Sequence, residues 1–468
     1  MFASPYGLKK MIYADWVASG RLYQPIEKIL LESIGPFVGN THTETSEVGR
    51  LMTHAYHLSH QKIKAHVNAG KEDVIITTGF GMTGAVVKFQ RILGLKPCRE
   101  ECRNLFPDET EKPVVFVTHM EHHSNQTTWY ETIADVIVVE PGKDMLVDLN
   151  NLENALNKYA HRKRKIGAFT ACSNVTGIRT PYKAMVRLMH EHGGLAFIDF
   201  AASAPYDDMN MHPADPMEKL DAIFFSPHKF LGGPGASGVL IFDSSLYHRK
   251  VPDQPGGGTV DWTNRWGEYK YIDNIEIRED GGTPGFLQAI RSALALELKT
   301  QMGVKMIHKR EKELVRLAFS EFRKVPDLHL LADSVEKRLG VLSFYISKIH
   351  YNLVVMLLSD RFGIQARGGC ACAGTYGHYL FDVSYEKSKK ITDKINRGDL
   401  SEKPGWVRVS VHPTMTDDEL LLIADALKQI QKHHRKWRQD YTYNKHTNEF
   451  IHKSALSKES RVQSWFNI

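Results

Sequence analysis

Between residues 55 and 245 the chain repeats one pattern: a short, largely apolar run followed by a longer stretch in which apolar positions recur every three to four residues. The runs cover 74–78, 114–118, 136–140, 166–171, 196–199, 222–225 and 238–242, and 181–192 is one of the helical stretches between them. Strands that are apolar throughout, instead of alternating, are covered on both faces. Their alternation with helices predicts an α/β domain built on a mostly parallel, seven-stranded sheet. Residues 250–285, rich in Gly, Pro and Asp, read as loops, and 286–302 and 304–325 carry long helical periodicity. A smaller α+β unit is predicted next, with strands at 328–331, 341–346 and 406–411 and a helix at 352–362. Thr416-Asp417-Asp418-Glu419 forms a capping box that opens a last amphipathic helix, 419–431. The expected domains are therefore 1–285, 286–432 and an extension 433–468, with 95–112 as an irregular insertion.

Composition changes this picture little. At 468 residues, 42% hydrophobic and 24% charged, the chain belongs with globular proteins and not with disordered ones. No apolar run reaches bilayer-spanning length, and the first ten residues lack a basic-then-apolar leader pattern, so a cytoplasmic location is expected. Five cysteines (98, 102, 172, 370 and 372) are too few, and odd in number, for a disulfide scaffold. The net charge of +6 sits at the end of the chain, where residues 428–468 hold nine Lys/Arg against three Asp/Glu. A solvated basic extension accounts for it, and with no nucleic-acid motif beside it neither nucleic acid nor membrane is expected as a partner.

The densest chemistry lies at the ends of two apolar runs. Asp199 closes one, and Ser226-Pro227-His228-Lys229 follows the other. A lysine amine can form a Schiff base with the aldehyde of pyridoxal phosphate (PLP), and a carboxylate can hold its pyridine nitrogen protonated. Ligands of open α/β sheets sit beyond the carboxyl ends of the strands, where both residues fall. Thr77-Thr78-Gly79-Phe80-Gly81-Met82-Thr83-Gly84 is a glycine-rich turn opening a helix, suited to a phosphate but without Walker spacing. His119-Met120-Glu121-His122-His123-Ser124-Asn125 offers a histidine to stack on an aromatic cofactor. Four candidate metal ligands lie in that run, but adjacent residues rarely point at one ion, and no metal is expected. Cys172-Ser173-Asn174 ends a further strand and can supply an amide to a cofactor oxygen.

In this order the motifs resemble the cysteine desulfurases and selenocysteine lyases, within the class V aminotransferase family of fold-type I PLP enzymes. The resemblance spans roughly residues 10–430 and includes Asn40-Thr41-His42, Glu121-His122-His123-Ser124-Asn125, Gly256-Gly257-Gly258, Gly282-Thr283-Pro284 and Arg367 followed by Cys372. It implies a large PLP-binding domain and a smaller α+β domain. It implies Lys229 as the Schiff-base lysine, Asp199 as partner of the pyridine nitrogen, and His122 as the ring-stacking histidine and acid/base helper. Asn174 would lie near the phenolic oxygen. Ser226, His228, Gly81 and Met82 would meet the phosphate, with Thr283 reaching that of a partner subunit in a homodimer. Arg367 would grip the carboxylate of a small amino-acid substrate, with Asn40 and His42 near the substrate.

The cysteines bear on the reaction. In the family a thiolate takes sulfur from the substrate, leaves alanine and carries a persulfide to an acceptor protein. Cys372 stands five residues after Arg367, the spacing the family uses, and Gly368 and Gly369 read as making that loop mobile. Cys370 departs from the pattern and is expected either to resolve the persulfide or to be the nucleophile itself. Ala202 replaces the glutamine that usually follows the ring-binding aspartate. The implied activity is desulfuration of L-cysteine or selenocysteine. The alternatives are another class V reaction (transamination, C–S lysis, epimerisation) or a non-catalytic protein of the same fold. Cys98 and Cys102 match nothing in the family.

Overall fold

The computed structural model describes residues 1–96, 108–455 and 457–467. Cys98 and Cys102, and most of the insertion read at 95–112, lie outside the described residues. The chain forms two compact units. One comprises Val17–Asn174 and Ile178–Lys309, the other Met1–Trp16, Val175–Gly177 and Arg310–Ile468.

The first unit is organised by seven strands: β1 (Asp73–Thr78), β2 (Val114–Thr118), β3 (Asp135–Val139), β4 (Lys165–Thr170), β5 (Leu195–Asp199), β6 (Ala222–Phe225) and β7 (Gly238–Asp243). They lie in the order β1-β7-β6-β5-β4-β2-β3. All neighbours are parallel except β7, which runs antiparallel to both β6 and β1. The sequence-derived strands fall within a residue of these at each end. The reason is visible in the core. Along β2, Val114 and Phe116 enter one buried cluster while Val115 and Val117 enter another, and on β5 Ala196 and Ile198 face away from Phe197. Both faces of these central strands are dry, so their middle positions are apolar on either side. Helices α1 (Glu47–His66), α2 (Gly81–Ile92), α3 (Tyr182–Glu191) and α4 (Phe286–Met302) supply the cover. Register matters most for function. Thr170 pairs with Asp199 and Asp199 with Phe224, so the carboxyl ends of β4, β5 and β6 are level.

Helix α5 (Val304–Phe322) leads into the second unit. There β8 (Leu328–Leu330), β9 (Val341–Ile346), β10 (Arg367–Gly369) and β11 (Trp406–Ser410) form an antiparallel sheet in the order β8-β9-β11-β10. Helix α6 (Tyr351–Phe362) stops at left-handed Gly363. The next two residues, Ile364 and Gln365, pair in parallel with Ile12 and Tyr13. Helix α7 (Asp417–Trp437) starts at the Thr416/Glu419 capping box. It runs past residue 431, because its basic last turn (His434, Arg435, Lys436) suits the negative end of the helix dipole. A hairpin, β12 (Tyr441–Asn444) with β13 (Glu449–His452), follows where the sequence showed only a basic extension. Asp440 ahead of it accepts hydrogen bonds from Tyr6 Oη (2.7 Å) and Arg361 (2.8 Å), tying the start of the chain into this unit. Among the described residues no helix is long and apolar enough to cross a membrane.

Phe197 is fully buried, edge-on to Phe89 at 5.0 Å and stacked on Trp129 at 6.3 Å. Phe197→Ala is expected to destabilise the protein by about 3–5 kcal/mol, read as a lower midpoint in urea unfolding.

Candidate active site

Level strand ends bring the candidate residues of the first unit together. Asp199, the last residue of β5, is 3% exposed, and its Oδ1 accepts from the Ala201 N–H at 2.7 Å. Burial pushes its carboxyl up to about 6, against that hydrogen bond and the positive charge of Lys229, which pull it down. Lys229 closes a single 3-10 turn, Pro227–Lys229, whose last N–H returns to the Ser226 carbonyl at 3.0 Å. The turn is pinned from outside. The Gly20 N–H donates to the His228 carbonyl at 2.9 Å, and a Cβ on Gly20 would lie 1.9 Å from the Phe230 oxygen. Burial, with the Lys229 charge, pushes the His228 imidazole down to about 4, so it is neutral at pH 7.

The glycine-rich turn docks on the same place. Gly81 takes φ +59°, and a Cβ there would meet Ser226 Oγ at 3.1 Å and His228 Cε1 at 3.2 Å. Ser226 Oγ accepts from the Met82 N–H at 2.9 Å. On the far side a Cβ on Gly238 would be 2.1 Å from the Gly81 carbonyl oxygen. Thr83 and Ser124 share a hydrogen bond of 2.6 Å, which joins the first turn of α2 to the histidine run. Within that run the side chains diverge. His119 Nε2 bonds the Met145 carbonyl oxygen, while His122 Nδ1 accepts from the Ser124 N–H at 3.1 Å, which leaves the proton of the neutral ring on Nε2. Glu121 turns inward. One of its oxygens accepts from Thr118 N–H, Thr118 Oγ1 and Thr170 N–H, and the other from Asn125 Nδ2. Burial pushes this carboxyl up to about 8, against those donors, and the nearby Asp199 adds to the rise. Asn174 lies in the loop after β4 and is 7% exposed. Asn40, His42 and Thr283 occupy surface loops instead. His42 Nε2 stands 3.9 Å from Asp280, and the Gly282 N–H donates to Gly257 at 2.9 Å, packing the two glycine loops together.

The second unit carries the other group. Arg367 donates through Nε to Asp15 at 3.0 Å, and Arg408 donates to the other oxygen of Asp15 at 2.8 Å. The outer edge of the Arg367 guanidinium is not used in that pair. The two glycines after it belong to β10. A Cβ on Gly368 would sit 2.4 Å from Asn352 Oδ1 and one on Gly405 would sit 2.9 Å from the Gly369 Cα, whereas Gly369 has open space at that place and takes φ +114°. Gly368 and Gly405 serve close packing, and Gly369 serves a backbone angle that other residues rarely adopt. The strand ends in a tight turn closed by the Ala373 N–H to the Cys370 carbonyl at 3.0 Å. Its two central residues, Ala371 and Cys372, take φ +50° and +56°. Side chains other than glycine pay roughly 1–2 kcal/mol each for that region. Cys372 is exposed and Cys370 half-buried.

A family model described as aminotransferase class V matches residues 12–423. The chain belongs to the class V aminotransferase family. It is 28% identical over 371 residues to a probable cysteine desulfurase of Staphylococcus epidermidis, covering 78% of this chain and 84% of that one. A probable cysteine desulfurase of Staphylococcus aureus is 26% identical over 369 residues, with the same coverage. Among solved structures, the apo cysteine desulfurase of Thermococcus onnurineus superposes with a TM-score of 0.74 at 22% identity, covering 90% of this chain and 95% of that one. A cysteine desulfurase of Escherichia coli in its S-sulfonic acid form gives 0.70 at 20% identity, over 90% and 94%. The fold is that of a fold-type I PLP enzyme.

Class V aminotransferases depend on PLP, and the first unit has the matching donor set. Asp199 has a second carboxylate oxygen that could meet a pyridinium N–H, and Lys229, whose charge acts on that carboxylate, could supply an amine for the aldehyde. The missing Cβ of Gly81, the first turn of α2 and Ser226 would form the cradle for a phosphate. Two contributors escaped the reading of the sequence. Glu121 appeared as a metal-ligand candidate and as part of a family motif but with no role of its own, although a lone acid three residues after a strand-end threonine is a signal of a turn-closing carboxylate. Asp15 lies 352 residues from Arg367, and nothing local announces that pairing.

Gly238→Ala forces the Gly81 carbonyl to move, and the variant is expected to retain less PLP after dialysis, measured by the visible absorbance of the bound cofactor. Glu121 ordinarily titrates at 4.5 but at about 8 in the folded protein, so the folded state holds the proton more tightly. Its contribution to stability is complete below pH 4.5 and is lost as pH rises through about 8. Glu121→Gln is expected to flatten the pH dependence of the apoprotein Tm across that window. An unchanged slope would refute the assignment.

Proposed function

We propose that this protein is a PLP-dependent cysteine desulfurase, with selenocysteine as an easier alternative substrate because its carbon–selenium bond is weaker. The observation that carries the reading is the strained turn presenting an exposed Cys372 five residues after Arg367, in a chain similar to relatives named as probable cysteine desulfurases. When bound, PLP supplies an electron sink for bonds broken around the substrate Cα. The Lys229 amine would hold the cofactor aldehyde, and its Nζ, when free, would take a proton from the substrate Cα. His122 Nε2 holds a proton that it can donate as the substrate's bonds rearrange. Arg367 presents two terminal nitrogens to the substrate carboxylate. Cys372 receives the sulfur: L-cysteine and the enzyme thiol become alanine and an enzyme persulfide.

Asn174 is assigned to the cofactor's phenolic oxygen, where Ala202 leaves no glutamine amide to assist. Asn40 and His42 are assigned to the substrate entrance. Thr283, exposed on its loop, is assigned to the phosphate of a second copy, which makes the working enzyme a homodimer. An acceptor protein would collect the sulfur.

The purified yellow protein, given L-cysteine and a reductant, is expected to release alanine and sulfide in equal amounts. Lys229→Ala should lose roughly 10²–10⁴-fold in both products, and Cys372→Ala should lose sulfide. Keto-acid products, or sulfide release undiminished in a Cys370/Cys372 double variant, would overturn the reading in favour of lyase or transaminase chemistry.

A further inference from the structure

The tight turn of the second unit holds two thiols, and the proposed desulfuration needs only one. Cys370 and Cys372 are the first and third residues of that turn, with left-handed Ala371 between them. Two Cα–Cα steps of about 3.8 Å each, folded at such a residue, bring the two Cα atoms within the roughly 4.4–6.8 Å that a disulfide bridges. The thiols also differ in surroundings. Cys372 is exposed and lies within electrostatic reach of Arg408, whereas Cys370 is half-buried and within reach of the Tyr351 hydroxyl. The turn is anchored at its base, where Gly368 leaves room for Asn352 and Tyr351 and Gly405 leaves room for Tyr351 and Gly369.

We propose that Cys370 is a resolving cysteine, which discharges the sulfur received by Cys372 as free sulfide. This step rests on the desulfurase reading. The Cys370 sulfur attacks the inner sulfur of the Cys372 persulfide. A bond forms between the two cysteine sulfurs, and the bond from Cys372 to the outer sulfur breaks. The outer sulfur leaves with the electron pair of that bond and takes up the Cys370 proton, becoming hydrogen sulfide. The outer sulfur is reduced and the cysteine pair is oxidised to a disulfide, so the step itself consumes no outside oxidant or reductant. A low-molecular-weight thiol or a dithiol protein then reduces the disulfide by exchange and prepares the next turnover. In this chain the sulfur reaches its acceptor as sulfide, and a second partner, a reductant, resets the enzyme.

The full-length holoenzyme, fully reduced and then freed of thiol, is given a single equivalent of L-cysteine per chain, so that turnover leaves no free thiol, then quenched with an alkylating agent and mapped by mass spectrometry, with alanine and sulfide measured in the same sample. The wild type is expected to release alanine and sulfide in equal amounts and to end as the disulfide. Its Cys370–Cys372 peptide should resist alkylation and be two hydrogens lighter. Cys370→Ser and Cys370→Ala should instead keep the sulfur on Cys372 as a persulfide, with sulfide appearing only when thiol is added. Visible cofactor absorbance and circular dichroism identify variants that have folded. Alanine formed while the wild-type peptide keeps its sulfur and forms no disulfide overturns the proposal and leaves the desulfurase reading standing. The persulfide found on Cys370 also overturns it, since Cys370 would then be the receiving thiol. If no alanine forms, the desulfurase reading itself has failed. Loading the turn with glutathione persulfide then decides the thiol chemistry alone, and a Cys370–Cys372 peptide that stays persulfidated overturns it.

Discussion

A carboxylate held almost dry at the end of a central strand is the constraint around which the first unit is arranged. Strand β5 has a parallel neighbour on each side, so Asp199 cannot turn to solvent without breaking a ladder. Burial raises the energy of its charge, and its hydrogen bond from Ala201 offsets only part of that cost. What remains is a demand for a nearby cation, met by Lys229 and suited to a protonated pyridine nitrogen. Glu121, also buried and within electrostatic reach, intensifies the demand: two carboxylates in one dry region disfavour being charged together.

Close backbone approach sets the rest of that site. The Ser226–Lys229 turn is wedged between Gly20 on one side and Gly81 on the other, and Gly81 is itself backed by Gly238. At three of these contacts a single methyl group would collide with main chain or with a site side chain. Rigidity obtained this way fixes where the Met82 N–H and the Ser226 hydroxyl point, as preorganised anion binding requires. The second unit uses a different device. Gly368 seats the strand against Asn352, Gly405 leaves room for Gly369, and the strain falls just beyond on Ala371 and Cys372, two residues that gain no conformational ease from being there.

Much of this was legible because it is local. Apolar runs such as 196–199 and 222–225 declare themselves when both faces of a sheet are covered. The Thr416/Glu419 box marks a helix start because capping is decided within four residues. Asp199 and Lys229 stood out because each ends such a run. Gly368 was legible as a glycine but not as a packing residue, and Gly369 beside it takes a positive φ instead, since freedom of rotation and lack of bulk leave the same letter in the sequence. Glu121 hid in a histidine run that resembles a metal site, and the terminal hairpin hid in a segment whose charge drew attention away from Tyr441 and Phe450.

The places of the strands along the chain, the kind of chemistry available and the residue types that carry it were settled by the amino-acid sequence alone, because hydrophobic period and side-chain acidity are properties of neighbouring residues. Tertiary structure alone decided that β7 runs against its neighbours, that Glu121 is driven toward its neutral form, and that Asp15 pairs with Arg367. Each of these depends on desolvation or on contact between residues far apart in the chain, and neither exists until the chain has folded.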